Sequence, residues 1–218
     1  MGIEVDKPGN SEVFDPASLE VRFGDPEVDA TRLRELFTQP TTIEHLAAIT
    51  PYTTEEQIKK LYEDQSLTLL TAETPSGLIV GTYTIQKPGF GSRVSEGMRL
   101  VVDEKYRNLR VAEKLVKAGN AVMFENRREE RFGEFGCSKS QVYVIIDIDG
   151  EWISQRVFAR EGYKRGPENE QTTFSWNNKL NRLVVRSSQP MSLYRISYIQ
   201  HRSGEHQKYL PKPHALPR

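Results

Sequence analysis

Val101-Val102-Asp103-Glu104-Lys105-Tyr106-Arg107-Asn108-Leu109-Arg110-Val111-Ala112 decides the fold, because a β-type run ends in it and a helical pattern begins within one short, basic turn. Upstream, Ser95 to Val102 alternates as a strand and places Glu96, Met98, Leu100 and Val102 on one face. Downstream, Val111, Leu115, Ala118 and Val122 recur at helical intervals and form a core stripe. The first N–H groups of a helix have no backbone acceptor and point outward with the positive end of its dipole, so such a turn is a ready anion site. It calls for a phosphate-bearing cofactor. Its awkward residue is Arg110.

Working outward, Leu19 to Phe23 alternates as a strand, and Asp25-Pro26 offers an N-cap followed by a proline at the first helical position. Leu33, Leu36 and Phe37 give that helix its buried side. Thr53 and Glu56 have capping-box spacing, and Ile58, Leu61 and Tyr62 follow at helical intervals, so a second helix ends near Asp64. Ser66 to Glu73 and Leu78 to Gln86 form a β-hairpin around Thr74-Pro75-Ser76-Gly77, and Lys87 to Gly91 is a loop by composition. Phe132 to Gly136 ends the central helix, and Val142 to Ile148 is apolar on both faces, as a central strand covered on each side would be. A short helix from Glu151 to about Arg160 leads to Gly162-Tyr163, and Thr172 to Trp176, Leu183 to Arg186 and Met191 to Ile199 are further strands. The order β-α-α-β-β-β-α-β-α-β-β belongs to the mixed α/β (α+β) class. The chain divides into a flexible polar arm over 1–18, one domain over 19–199 and a basic, Pro-containing tail over 200–218.

With 218 residues, 37% of them hydrophobic, the chain has the means for one core of ordinary size. Lys+Arg 30 against Asp+Glu 30 leaves no net charge, which argues against a nucleic-acid partner. Cys137 is the only cysteine, so no intrachain disulfide forms, and no Cys/His cluster has zinc spacing. A cytoplasmic setting without metal fits. Met1 to Ser18 lacks the basic-then-apolar pattern of a secretory signal, and the longest apolar run, Val142 to Ile146, suits a buried strand rather than a membrane span.

Arg107-Asn108-Leu109-Arg110-Val111-Ala112, after a strand and before a helix, resembles a signature of the GNAT superfamily of N-acetyltransferases: Gln or Arg, two residues, Gly, one residue, then Gly or Ala. Phe158-Ala159-Arg160-Glu161-Gly162-Tyr163 is similar to the family's late helix, which closes with an aromatic four residues before a Gly-Phe or Gly-Tyr pair. The likeness covers about Leu19 to Tyr198 and implies a central mixed sheet of about six to seven strands flanked by helices. It also implies acetyl-coenzyme A as cosubstrate. Backbone N–H groups of Leu109, Arg110, Val111 and Ala112 would then meet the cofactor pyrophosphate, with Arg107 adding a charge-assisted bond. The pantetheine arm would run beside the strand matching Met98 to Val102, making Leu100, Val101 and Val102 cofactor contacts. Arg110 lacks the conformational freedom of the signature glycine, although its guanidinium binds phosphate where it points outward. Without the resemblance, Arg107 and Arg110 are solvated residues at an ordinary helix start.

Acyl transfer to an amine needs a group that takes the proton. Glu96 lies eleven residues before Arg107, the offset of the general-base glutamate in the histone acetyltransferase branch of the family. Its apolar strand neighbours would raise its pKa toward neutrality; the plain alternative is a glutamate at a strand start near solvent. The family's acid is a tyrosine at the position of Phe158, which has no proton to give and is left as a cofactor contact. Tyr163, Tyr143 or solvent remains for that role, Tyr163 first. Asp147 and Asp149 suit either a substrate ammonium group or a plain turn. Cys137 has no histidine near it in sequence, and His201, His206 and His214 are solvated tail residues.

These readings predict an N-acyltransferase that moves acetyl from acetyl-CoA to a primary amine, on a small molecule or a protein, by direct attack in a ternary complex. The alternative is a GNAT-like domain without turnover that binds coenzyme A or a protein partner, to which Arg110 and Phe158 point. The acceptor is set in this superfamily by loops such as Gln39 to Thr53 and by the termini. Strands near Met191 to Ile199 are available to pair two copies as a homodimer.

Overall fold

Alternation and turn chemistry build the first half of the sheet. β3 (Glu20–Phe23), β4 (Leu67–Glu73), β5 (Ile79–Gln86) and β6 (Val94–Val102) follow one another antiparallel. The β4–β5 turn closes on Gly77, whose φ of 79° glycine adopts freely and whose N–H donates to the Thr74 carbonyl. β7 (Lys139–Ile145) lies parallel to β6, which demands a crossover, and α4 (Val111–Glu125) supplies it. β10 (Arg182–Tyr194) returns antiparallel beside β7, with β8 (Lys164–Arg165) and β9 (Gln171–Asn177) on its outer side. The sheet order is β3-β4-β5-β6-β7-β10-β8, with β9 paired to β10 off that path, while β1 (Ile3–Glu4) and β2 (Val13–Phe14) make a separate ribbon. This computed structural model describes residues 3–4, 13–45, 52–125, 137–145, 153–165, 171–177, 182–194 and 197. The fold is a mixed α/β sheet flanked by helices, as the element order implies.

Helices cover the sheet unequally. α1 (Pro26–Phe37) starts where Asp25 accepts the Glu27 N–H at 2.9 Å. α3 (Glu55–Tyr62) carries its capping box one residue later than the spacing of Thr53 and Glu56 predicts. The Thr54 hydroxyl accepts from Gln57 N–H, and the Gln57 carboxamide accepts from the N–H groups of both Thr53 and Thr54. Part of the segment expected as the loop Gln39 to Thr53 is a further helix, α2 (Pro40–His45). Leu33, Leu36, Phe37 and Ile58 of α1 and α3 pack with Leu69, Ile79 and Val101 on one face of the sheet. On the other, α4 and α5 (Ile153–Arg160) bring Val111, Leu115, Val122 and Phe158 against Leu70, Tyr83 and Ile85.

Three strand expectations need correction. Glu96, Met98, Leu100 and Val102 do not share a face, because Arg99 and Leu100 together oppose Tyr83 in a β-bulge where Arg99 has φ 50°. Past the bulge the alternation is reversed: Met98 stays opposite Thr84 on the α1 side, while Leu100 and Val102 pack with the α4-side core. β7 is central but not covered on both sides, since Tyr143 is 38% exposed and Lys139 and Gln141 are half-exposed. The strands expected at Leu183 to Arg186 and Met191 to Ile199 are, as far as Tyr194, one strand, β10. Its Pro190 sits where the outer neighbour changes from β9, last paired at Ser188, to β8, first paired at Met191, so its missing N–H breaks no rung there. Met191 and Ser192 are therefore interior to the sheet rather than an exposed edge awaiting a second copy.

The arm is not loose throughout. Phe14 meets Tyr106 edge-on at 5.1 Å, and Lys114 Nζ donates to the carbonyls of Ala17 and Leu19, which docks residues 14–19 against the start of α4. The tail over 200–218, with its histidines, lies outside the described residues. Among the described residues no helix is long and apolar enough to cross a membrane.

Candidate active site

β6 is paired along one edge and open along much of the other. Toward β5 the register holds from Glu96–Gln86 to Val102–Gly81, interrupted only by the bulge. Toward β7 it holds for four rungs, Val94–Lys139 to Gly97–Val142, and then stops although both strands continue. Strands that part leave a notch whose wall, Met98 to Val102, presents backbone groups with no strand partner among the described residues. Such groups need partners, and an extended chain of amides supplies them. The last rung is tight: a Cβ on Gly97 would stand 1.8 Å from Tyr83 Oη and 2.9 Å from a Val142 methyl, so only glycine lets the Tyr83 ring pass beneath the seam.

At the end of this wall the chain makes the turn that the sequence singles out. Asp103 caps it through Lys105 N–H at 3.0 Å, and Arg32 of α1 holds Asp103 from below while donating to the Ile79 carbonyl. Leu109 and Val111 are buried and anchor the turn, and α4 begins at Val111. The N–H groups of Leu109, Arg110, Val111 and Ala112 meet no acceptor among the described residues. Asn108 and Arg110 both have left-handed φ, 64° and 60°. Arg110 thus adopts the conformation for which the signature uses glycine, at a cost of about 1 kcal/mol, and its side chain is exposed. The Arg107 guanidinium bonds the Thr41 hydroxyl and lies 3.4 Å from the Val102 carbonyl, while Thr41 also bonds Glu104. Arg107 therefore fastens α2 to the turn. The free N–H groups and the outward Arg110 make a donor set suited to a diphosphate.

Glu96 stands one rung before the seam opens, opposite Gln86 and Gln141, on the face that no helix among the described residues covers at β7. It is half-buried, and burial lifts its carboxyl above the usual glutamate range against the pull of Arg99. The Arg99 guanidinium lies over the Tyr52 ring at 5.9 Å, with Tyr52 packed in turn on Phe37. No motif marks Arg99, Thr41 or Asp103, because their positions depend on a bulge and on α1 and α2.

The late helix brings Phe158 against Tyr83 and Tyr163, buried, with centroid distances of 6.4 and 5.2 Å. Tyr163 is buried: its hydroxyl bonds Ser140 at 2.7 Å and Asn120 at 2.8 Å inside the core, and burial raises its pKa. The exposed Tyr143 accepts from Gln141 on the uncovered face. Cys137 is buried, its thiol on the Met123 carbonyl. Asp147 and Asp149 lie outside the described residues. Among the described residues no three His, Cys, Asp or Glu side chains gather as a metal site. A shallow hollow of about 300 Å³ beside Tyr62, Leu67 and Lys87 shares no residue with the seam.

No protein-family model and no curated protein matches the sequence. Solved structures do match. A spermidine N-acetyltransferase from Vibrio cholerae, in complex with CoA and spermine, superimposes with a TM-score of 0.66 at 12% identity over 84% of this chain and 99% of that one. The spermidine/spermine N-acetyltransferase of the same organism in complex with manganese ions gives 0.61 at 12% identity, over 86% and 99%. Identity this low carries the architecture and nothing finer. With its parted parallel strands and its helix starting at the basic turn, the chain has the GNAT fold that Arg107 to Ala112 and Phe158 to Tyr163 anticipate.

Proposed function

We propose that this protein is an N-acyltransferase that uses acetyl-CoA to acetylate a primary amine by direct attack in a ternary complex. The observation that carries the reading is the seam. β6 and β7 pair for four rungs and part, the exposed wall of β6 leads to unpartnered N–H groups at the start of α4, and Glu96 stands at the point of parting. Acetyl-CoA, when bound, supplies an activated acyl group on a good leaving thiol. The wall from Met98 to Val102, with Leu100, Val101 and Val102 contributing backbone groups, holds an extended amide chain. The N–H groups of Leu109 to Ala112 hold a diphosphate, and the outward Arg110 adds charge to them. Arg107 contributes by keeping the turn in place through Thr41. Glu96 takes the amine proton, and its raised pKa brings it nearer the value a base needs at neutral pH. Phe158 packs beside the site without donating, and Tyr163 supports it from within. The thiol of Cys137 stays reduced in the cytoplasm, the setting this reading assigns.

A second reading has its own observation: Phe158 carries no hydroxyl and the Tyr163 hydroxyl is engaged in the core, so a coenzyme-A-binding module without turnover also fits. Thermal unfolding with and without coenzyme A, followed by free-thiol release from acetyl-CoA with a panel of amines, separates the two. Stabilisation with thiol release supports the transferase; stabilisation without release from any amine supports the module; no stabilisation sinks both.

A further inference from the structure

We propose that Arg99 selects the acceptor, and that the amine this protein modifies carries a carboxylate or phosphate group a few bonds from the nitrogen, bound by Arg99 while Glu96 faces the amine. The inference rests on the acyl-transfer reading above and names its substrate class.

Arg99 sits in the bulge of β6 with φ 50°, a position glycine fills without strain. Its guanidinium has five donors, and its recorded neighbours are poor acceptors: the Met98 sulfur at 2.6 Å, the Tyr52 hydroxyl at 3.4 Å and the Tyr52 ring. Among the described residues no carboxylate comes within the 4.0 Å of an ion pair, although Arg99 is half-buried. A half-buried cation without an anion is an unmet demand, and a bidentate acid group meets it best.

The surroundings favour such an acceptor over a polycation. On the face opposite α4, β6 and β7 carry Met98, Gln141 and Tyr143, all neutral, with Glu96 as the only carboxylate of these two strands on that face and Lys139 as a further cation among the described residues. A polyamine needs several carboxylates along its length. Glu96 and Arg99 are three residues apart, about 10 Å along an extended strand and less through a bulge. The Arg99 charge pulls against the burial that raises the Glu96 carboxyl, and the two form no ion pair. That spacing suits an amine and an acid group on one small unit.

The test compares thiol release by the wild type, Arg99→Gln and Arg99→Lys with L-phenylalanine against L-phenylalaninamide, phosphoethanolamine against ethanolamine, and spermidine. Titration of L-phenylalanine and phosphoethanolamine into the protein saturated with coenzyme A gives binding without turnover. The expected result is preference for the acid-bearing member of one pair, although the amide is the readier nucleophile. Arg99→Gln should raise the KM and Kd of that member roughly ten- to a hundredfold with kcat little changed, and Arg99→Lys should restore part of it. The pair that shows the effect tells carboxylate from phosphate. A fall in kcat shared by all amines would mean that Arg99 serves the acyl group instead and overturns the proposal. Spermidine or the neutral amines reacting best also overturns it and leaves acyl transfer standing. Release from none of the five overturns both.

Discussion

The two halves of the sheet are closed in different ways. From β3 to β6 both faces are packed, with α4 on one side and α1 and α3 on the other, and the strands pair in unbroken succession. From β6 to β10 the α4 side is packed, the opposite face shows Tyr143, Gln141 and Lys139, and β6 and β7 separate after Gly97–Val142. β6 belongs to both halves. One strand can therefore be structural along one edge and reserved for a ligand along the other, without any change in its own sequence pattern. Variants of the closed half should alter stability and leave ligand behaviour alone, whereas variants of the open half should alter turnover or ligand binding, with smaller changes in stability.

The largest effect expected is on the open side. Glu96→Gln should lower kcat/KM by about 10²- to 10³-fold in a thiol-release assay while coenzyme A still protects the protein from thermal unfolding. The wild-type rate should rise with pH through the elevated pKa of this carboxyl, and the variant should lose that limb. Stability gives a second reading with the opposite sign. Burial disfavours the charged carboxyl in the folded protein, so between the ordinary glutamate value and the raised one the folded state holds more protons and stability falls as pH rises. Glu96→Gln should be the more stable protein at neutral pH and gain nothing well below the ordinary glutamate value. A variant of full activity would remove Glu96 from the mechanism.

The closed half responds in stability. Arg22 bonds Asp29 through two nitrogens at 2.9 Å and also holds Glu73, with Asp29 almost wholly buried. Removing Asp29 leaves Arg22 with Glu73 alone and takes the acceptor from the Asp25 N–H, so Asp29→Ala should cost about 2 kcal/mol in urea unfolding. Its affinity for coenzyme A should be unchanged. Gly97→Ala lies on the boundary: its methyl meets the Tyr83 ring and Val142 in a fully buried place, and overpacking there should cost about 2 kcal/mol. Tyr83→Phe removes the nearest atom but leaves Cζ at 2.7 Å, so the double variant should recover only part of the loss. Complete additivity would mean that Tyr83 is not what excludes a side chain at Gly97.

How far the sequence carried these distinctions follows from what each one depends on. The element order, the Thr74 to Gly77 turn and the strand-to-helix unit at Val101 to Ala112 are local patterns, so periodicity and turn chemistry reveal them. The bulge was hidden because Arg99, not glycine, makes it, and with it went the face of Leu100 and Val102. An apolar run such as Val142 to Ile146 says that a strand is central but not which face lacks a helix. The single strand β10 was read as two, Leu183 to Arg186 and Met191 to Ile199, because the exchange of β9 for β8 along it is a property of two distant segments. The partners of Tyr163 were hidden for a similar reason: Ser140 and Asn120, which occupy its hydroxyl, come from β7 and α4. Glu96 was legible by its spacing to the signature, while Arg99 had no spacing to betray it.

The smallest effect expected is the most discriminating, because Arg110→Gly combines two changes of opposite sign. Relief of the left-handed φ of 60°, less the extra chain entropy of glycine, should stabilise the protein by about 0.5–1 kcal/mol in urea unfolding without ligand. Loss of the outward guanidinium should at the same time weaken coenzyme A several-fold, if that group contributes a charge-assisted bond to phosphate. Arg110→Ala separates the terms, since it loses the same charge and keeps a side chain in the strained conformation: it should match glycine in affinity and the wild type in stability. Tighter binding by the glycine variant alone would show that the arginine obstructs the turn. Weaker binding by both would place the guanidinium among the phosphate ligands and make its backbone strain the cost of keeping a charge where a glycine would fold more easily.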